Sequence, residues 1–294
     1  MKKRIISILL IVCVLLLLNA CSFASNSNST FSIKFIDVGH GDAALVECDG
    51  QYMLIDGGSE SRGGDVYTAL VNENIKHLDI LAISHLDEDH IGGLIKAFDY
   101  INKVDLTICN SKDGTSKIYE KLEPILLNCS NKIKVPNIGE KYNLGSAEIE
   151  VLDNSAKENN DSLVLLITYK DTRFLFTGDI ERKAQQRLTE KLRSDKRAND
   201  DGVFKIDLIK MPHHGAYNDI YGFQDSNLNG LFYTIKSNES EIYAIISAGD
   251  QYNHPHPDTL KLLEQAEATV YITKECGDII VKSDGKTLSI ETSK

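Results

Sequence analysis

The stretch AISHLDEDHIGG, residues 82–93, ends an apolar run with two imidazoles and three carboxylates in six consecutive residues, His85 to His90. Neutral imidazole nitrogen and hard carboxylate oxygen together suit zinc, manganese or iron. In an extended loop residues i and i+2 face the same way, so His85 and Asp87 can share one cation. Asp89 and His90 then fall at the start of the next helix and can serve a second. Its N-terminus adds partial positive charge, and Gly92 and Gly93 let its backbone approach closely. Without a cation, three carboxylates so near one another repel.

Polar residues gather in the same way at the ends of other apolar runs: Asp37 and Asp42 in DVGHGD, Asp56 in IDGG, Asp179 in FTGD, His213 and His214 in MPHHG, and His254 and His256 in NHPHP. Of the eight histidines only His77 lies away from such a junction. Strand-end loops converging on one sheet edge are where a site is built. Several of these residues carry a plainer reading beside the functional one. Asp37 and Asp42 are flanked by glycines and suit turn caps. His256 divides evenly between site and helix cap. If the backbone at MPHHG is extended, His214 points away from His213, as a general acid or substrate contact instead of a ligand. Ser162 offers a hydroxyl at a strand start, with no histidine–acid triad readable around it.

The elements that must position these residues are short. FSIKFIDV, AALVEC and YMLIDGG read as strands, the last two a hairpin across Asp-Gly. GDVYTALVNENI has helical spacing, LDILAIS is a buried strand, and HIGGLIKAFDYIN reads as one helix. VDLTICN and a helix near SKIYEKLEPILLN follow. A second series opens near Lys132 with NKIKV, AEIEVLD and the hairpin SLVLLITYKDTRFLFTGD. It continues with the helix IERKAQQRLTEKLRS, the strands FKIDLIK and IYAIIS, the helix HPDTLKLLEQAE and the strands TVYITK, GDIIVKS and TLSIE. RSDKRANDDG reads as a solvated loop. No proline- or glycine-rich linker separates the series, which favours one domain, 31–294, of two packed sheets flanked by helices.

Residues 1–20 stand apart. MKKR followed by IISILLIVCVLLLL has the form of a secretory signal, with an uncleaved anchor helix or a plain signal peptide as the simpler readings, and LNAC resembles the lipobox of bacterial lipoproteins. That likeness implies cleavage before Cys21, lipidation of Cys21, a tether over 21–30, and a domain held by lipid at the extracytoplasmic face of the cell membrane. Loss of Lys2, Lys3 and Arg4 and of no acid takes the net charge from −11 to −14. So acidic a protein has no general attraction for nucleic acid or anionic lipid, and an anionic substrate needs cations to be held. Cys48, Cys109, Cys129 and Cys276 are too scattered for a thiolate zinc site; one or two disulfides, or buried free thiols, are both open, and Cys48 suits the core.

SHLDEDHIGG resembles the metal signature of the metallo-β-lactamase-fold hydrolases, in the variant found in the hydrolase domain of the competence protein ComEC. FIDVGHGDAALVE, YMLIDGGS, NNDSLVLLITYKDTRFLFTGDI, LIKMPHHGAYND and IISAGDQYNHPHPDTL resemble further blocks of that variant, in order, from Phe31 to about Ala268. The resemblance implies an α/β αββα four-layer sandwich and two divalent metals, zinc or manganese. It implies that His85 and Asp87 hold one, that Asp89 and His90 hold the other, and that Asp179 bridges them. His213 or His254 would complete the second site, and Asp56 would orient the ligand loop, with Asp37 and Ser162 further supports. Asp89, His214 and His254 are the catalytic candidates. The wider superfamily places histidines at the positions of Asp87 and near Asn160 to Ser162; their absence here makes the first site poorer in nitrogen and brings manganese forward.

The implied reaction is phosphodiester hydrolysis by a water activated between two cations, with extracellular DNA the leading substrate. A phosphorylcholine or teichoic-acid esterase, or a small-molecule phosphodiesterase, is the alternative, and a non-catalytic surface binding lipoprotein a third. The chain carries no transmembrane bundle in its sequence, so the membrane partner is met through Cys21 alone.

Overall fold

The computed structural model describes residues 30–154, 162–216, 230–236 and 241–294. The proposed signal, Cys21 and the tether up to residue 29 lie outside them, as do Asn160 and Asp161. Strands β1 (Phe31–Phe35), β2 (Ala44–Cys48), β3 (Gln51–Ile55), β4 (His77–Ile83), β5 (Lys103–Cys109) and β6 (Ile133–Lys134) belong to one sheet. The second is built from β7 (Lys141–Leu144), β8 (Ala147–Asp153), β9 (Val164–Tyr169), β10 (Thr172–Phe176), β11 (Leu208–Lys210), β12 (Tyr243–Ile246) and β13 (Thr269–Ile272). The last two strands, β14 (Ile279–Ser283) and β15 (Leu288–Thr292), return to the first sheet beside β1.

Each sheet is mixed. β3 to β6 run parallel in one and β10 to β13 in the other, with antiparallel hairpins beyond them. Alternation in FSIKF sends Phe31, Ile33 and Phe35 inward. There Phe31 stacks on Tyr169 and Phe174 at 4.9 and 4.8 Å, so the two sheets meet face to face. The parallel strands are apolar on both faces because helices cover the outer ones. Helices α1 (Gly63–Asn72), α2 (Glu88–Ile91), α3 (Leu94–Ala97) and α4 (Lys117–Cys129) lie with the first sheet. Helices α5 (Arg182–Arg193), α6 (Leu231–Ile235) and α7 (Pro257–Gln265) lie with the second, and α8 (Thr273–Cys276) follows β13. Helix, sheet, sheet and helix make the αββα sandwich.

Two local expectations change. HIGGLIKAFDYIN is not one helix: α2 and α3 are single turns parted at Gly92 and Gly93. A side chain on Gly93 would put Cβ 2.0 Å from the Gly57 carbonyl oxygen, so the two turns are pressed against the loop that follows β3. RSDKRANDDG is not wholly solvated, since Arg197 makes a paired contact with Glu150 at 2.8 and 3.2 Å and is also bound by Asp195. Cys48, Cys109, Cys129 and Cys276 are all free thiols, and Cys48 is fully buried.

Candidate metal centre

In open α/β sheets, ligands bind at the carboxyl ends of parallel strands, and here those ends supply most of the cluster. The loop after β4 carries His85 and Asp87 and leads into α2, which carries Asp89 and His90; the loop after β3 carries Asp56. Asp179 follows β10, His213 and His214 follow β11, and His254 follows β12. The one other contributor is the loop between β1 and β2, with His40 and Asp42.

One oxygen lies at the middle. Asp179 Oδ2 is 3.3 Å from His90 Nε2, 3.4 Å from His214 Nε2, 3.9 Å from His213 Nε2 and 4.0 Å from His85 Nε2. Asp89 Oδ2 sits 3.3 Å from His214 Nε2 and 3.9 Å from His90 Nε2. Asp89, His90, Asp179 and His214 thus offer four ligand atoms that all lie within 4.8 Å of one another. Beside them, His85 Nε2 stands 3.7 Å from Asp87 Oδ2. Asp87 is the open member, its side chain 66% exposed.

The rings are fixed from behind. Asp56 accepts from the Ser84 amide at 2.7 Å through one oxygen and binds His90 Nδ1 at 3.0 Å through the other. His214 Nδ1 lies 2.8 Å from the Ser247 carbonyl oxygen, which only accepts, so that nitrogen carries the proton. His85 Nδ1 is met by Ser84 Oγ at 3.0 Å and Ser162 Oγ at 3.3 Å, and Ser162 Oγ also accepts from the Asp179 amide. What remains is a set of buried ligand atoms facing inward: His90 Nε2 and His214 Nε2, whose near neighbours are the Asp179 and Asp89 carboxylates, and Asp179 Oδ1, which has no hydrogen bond. Buried polar atoms left unpaired are costly, and convergent imidazole and carboxylate atoms of this kind fit a divalent cation.

His214 stands where His213 or His254 was expected to complete the second set. The reason lies in the backbone. MPHHG is not extended: His213 and His214 both have left-handed φ, 45° and 53°, so both rings turn towards the cluster, with centroids 6.1 Å apart. Left-handed non-glycine residues are uncommon and gather at functional sites. His254 is placed further out, its ring 6.3 Å from that of His213. Asp37 is not brought in: it accepts from the Gly39 amide and from Lys294 Nζ. His256 is the N-cap of α7, accepting from the Asp258 amide at 3.2 Å.

His40, Asp42 and Lys210 are the residues that sequence reasoning passed over or read as turn chemistry. His40 Nε2 is 3.2 Å from Asp89 Oδ2. Asp42 is ion-paired to the buried Lys210 ammonium and lies 3.5 Å from His214 Nδ1. The signal was the glycine pair around His40: a Cβ on Gly41 would sit 2.3 Å from the Asp89 carbonyl oxygen, so this turn packs directly on the ligand loop.

The charges are strongly coupled. Burial alone would raise the carboxyl pKa of Asp179, but the His214 and His90 imidazoles hold it well below the usual range. Asp42 is likewise lowered against its burial, chiefly by the Lys210 ammonium. Burial alone would lower His90 and His214, yet the Asp179 carboxylate raises both well above 6.5. Burial lowers His85, helped by the neighbouring His90. Burial and the adjacent imidazoles push His254 down to about 4.

Two expected results arise here. Groups with raised pKa contribute stability that is fully present below their unfolded value and is lost as pH rises through the folded one. Chelator-treated protein should therefore lose melting temperature as pH rises above about 6.5 and His90 and His214 deprotonate. A metal takes the place of those protons, so the loaded protein should show no such fall; parallel thermal melts with chelator and with added metal decide it. Asp56→Asn keeps the left-handed turn at residue 56 but removes the charge behind His90. It should weaken metal binding roughly ten- to hundred-fold, read by competition with a chromophoric chelator.

The sandwich and the convergent imidazole–carboxylate edge define a metallo-β-lactamase-type centre. The profile of the metallo-β-lactamase superfamily matches residues 36–221, more than half of the chain, and the protein belongs to that superfamily, whose members are generally hydrolases that bind divalent metals. Among curated proteins it is similar to ComE operon protein 3 of Bacillus subtilis, 24% identical over 276 residues, 86% of this chain and 33% of the relative. It is similar too to Recombination protein 2 of Haemophilus influenzae, 25% identical over 292 residues, 96% of this chain and 32% of the relative. The chain spans about a third of the length of both. Of solved structures, the metallo-β-lactamase fold protein YhfI from Bacillus subtilis superimposes with a TM-score of 0.55 at 14% identity, over 86% of this chain and all of that one, a likeness of fold.

Proposed function

We propose that the protein is a metal-dependent phosphodiesterase that cleaves extracellular DNA. The observation that carries this reading is Asp179 Oδ2, a single carboxylate oxygen within 4.0 Å of four imidazoles from two loops. Such an oxygen is suited to lie between two cations. Asp89, His90, Asp179 and His214 would hold one and His85, Asp87 and Asp179 the other, zinc or manganese. When bound, paired cations offset the charge of a phosphodiester in its transition state and lower the pKa of the attacking water.

The chain's own residues do the rest. Asp56 and the Ser247 carbonyl hold the His90 and His214 rings in one tautomer, with Nε2 facing the centre. His254, at about 4, is neutral at pH 7 and suits accepting a hydrogen bond better than donating a proton. His213, on the same turn as His214 but with its side chain 28% exposed, is better placed to give a proton to the leaving oxygen. The relatives named for competence and recombination support DNA as the substrate. The charge of −14 that the chain would carry without residues 1–20 favours a smaller phosphodiester or an envelope headgroup instead. Purified protein loaded with Mn²⁺ or Zn²⁺ should therefore be assayed on single- and double-stranded DNA, bis-p-nitrophenyl phosphate and a phosphorylcholine ester. Cleavage of DNA is the expected result; a choline ester cleaved while DNA survives at every metal would overturn it.

The lipobox-like LNAC supports a lipid anchor at Cys21 on the extracytoplasmic face. No helix among the described residues is long and apolar enough to cross a membrane. Cys21→Ser should move the protein from the membrane pellet to the soluble fraction, and retention in the pellet would defeat the anchor.

A further inference from the structure

Tyr252 is the most exposed large apolar side chain among the described residues, at 72%, and it stands at the rim of the metal centre. Its ring lies 4.7 Å from that of His40 and 6.4 Å from that of His254. His40 in turn reaches Asp89 Oδ2 at 3.2 Å, so one imidazole separates the tyrosine from a metal-ligating carboxylate. The backbone holds the ring there: Tyr252 and Asn253 are consecutive non-glycine residues with left-handed φ, 60° and 52°. Gly249, where this loop begins, packs so tightly on the His40 turn that a Cβ would fall 2.7 Å from the His40 amide nitrogen. A bulky aromatic in that conformation, with its ring turned to water, is a strained arrangement of the kind found at binding sites.

We propose that Tyr252, backed by His40, is a stacking platform for an unpaired nucleobase next to the scissile phosphate. The proposal rests on the phosphodiesterase reading and makes its substrate single-stranded nucleic acid. Every base offers a π-face to such a ring, and stacking of this sort tolerates any sequence. A duplex keeps its bases within its own stack and has none to place on the ring without unstacking. A quaternary ammonium could also meet an aromatic face, but it would do so beside the metal cations. A neutral base meets no such repulsion.

The chain contains no tryptophan, so Tyr252→Trp introduces a single indole reporter at the platform. In chelator, where no hydrolysis occurs, a thymidine tetranucleotide should quench its fluorescence saturably and an abasic tetranucleotide should not. In metal, wild-type protein should show a KM for abasic oligonucleotide roughly ten- to hundred-fold above that for the base-bearing one. Tyr252→Ala should bring that ratio towards one, with KM changing more than kcat. Equal quenching by the abasic probe, quenching by phosphocholine alone, or a wild-type KM ratio of one overturns the platform. If the wild-type protein cleaves DNA and Tyr252→Ala keeps the full ratio, the platform alone fails. If wild-type protein cleaves no oligonucleotide with any metal, the phosphodiesterase reading fails, while the chelator titration still reads the stacking.

Discussion

Replacing Asp179 with alanine should lower hydrolysis roughly 1000-fold or more and leave the fold standing. The argument rests on position. Asp179 Oδ2 is the atom that both ligand sets share, reached by imidazoles from the loops after β4 and β11. Its loss takes a charged ligand from each set at once. Metal-based stabilisation of a developing charge amounts to several kcal/mol, and about 4 kcal/mol is roughly 1000-fold in rate. Metal content should fall with activity, because the remaining donors are mostly neutral. Elemental analysis of the purified variant beside its kcat on bis-p-nitrophenyl phosphate separates this from a fault in chemistry alone. Full metal content with normal turnover would remove Asp179 from the centre.

Lys210→Met should destabilise the protein by about 3–5 kcal/mol, the cost of leaving a buried charge without its partner. Lys210 ends β11 with its side chain 3% exposed, and its ammonium is paired with Asp42, itself 9% exposed. Removing the cation leaves the Asp42 carboxylate in the interior with imidazoles as its remaining neighbours. Replacing both members with apolar residues removes the uncompensated charge, and paired replacements of this kind are often close to neutral. Asp42→Leu with Lys210→Met should therefore unfold in urea at a higher midpoint than Lys210→Met alone. A double variant no better than the single one would show that Asp42 has a stabilising role of its own at His214.

What could be read from the residues was the position of chemistry at strand ends. LDILAIS is apolar from Ile80 to Ile83 because that part of β4 is buried on both faces, and the charges that follow it mark the sheet's carboxyl edge. The spacing in SHLDEDH suggested two pairs, His85 with Asp87 and Asp89 with His90; the structure gathers them at one edge, the His85 and His90 rings 4.0 Å apart. Asp56 was legible as a carboxylate next to a glycine turn, although nothing local showed that it would reach His90. The direction of the His214 ring was not legible because it depends on φ, and two successive left-handed residues are not visible in MPHHG. Lys210 read as one more residue of a strand; only the pairing of β10, β11 and β12 shows that it is enclosed. The sheet order was beyond reach for a similar reason. GDIIVKS is as good a strand for either sheet, and long-range register alone decides that it lies against FSIKF.

That placement governs how the molecule matures. β1 lies between β2, a near neighbour in the chain, and β14, nearly 250 residues away; the Asp37 amide is bonded to Asp278 and its carboxylate to Lys294. Such remote pairings close late, since the entropy of drawing distant segments together must be met before they yield contacts. A chain emerging amino end first can form the hairpin of β2 and β3 early, yet the edge of β1 stays open until residues 279–283 have arrived. Through that interval the turn carrying His40 and Asp42 lacks the bonds from Asp278 and Lys294. The metal centre is thus a late product of biogenesis, assembled at the close of vectorial folding and not along the way.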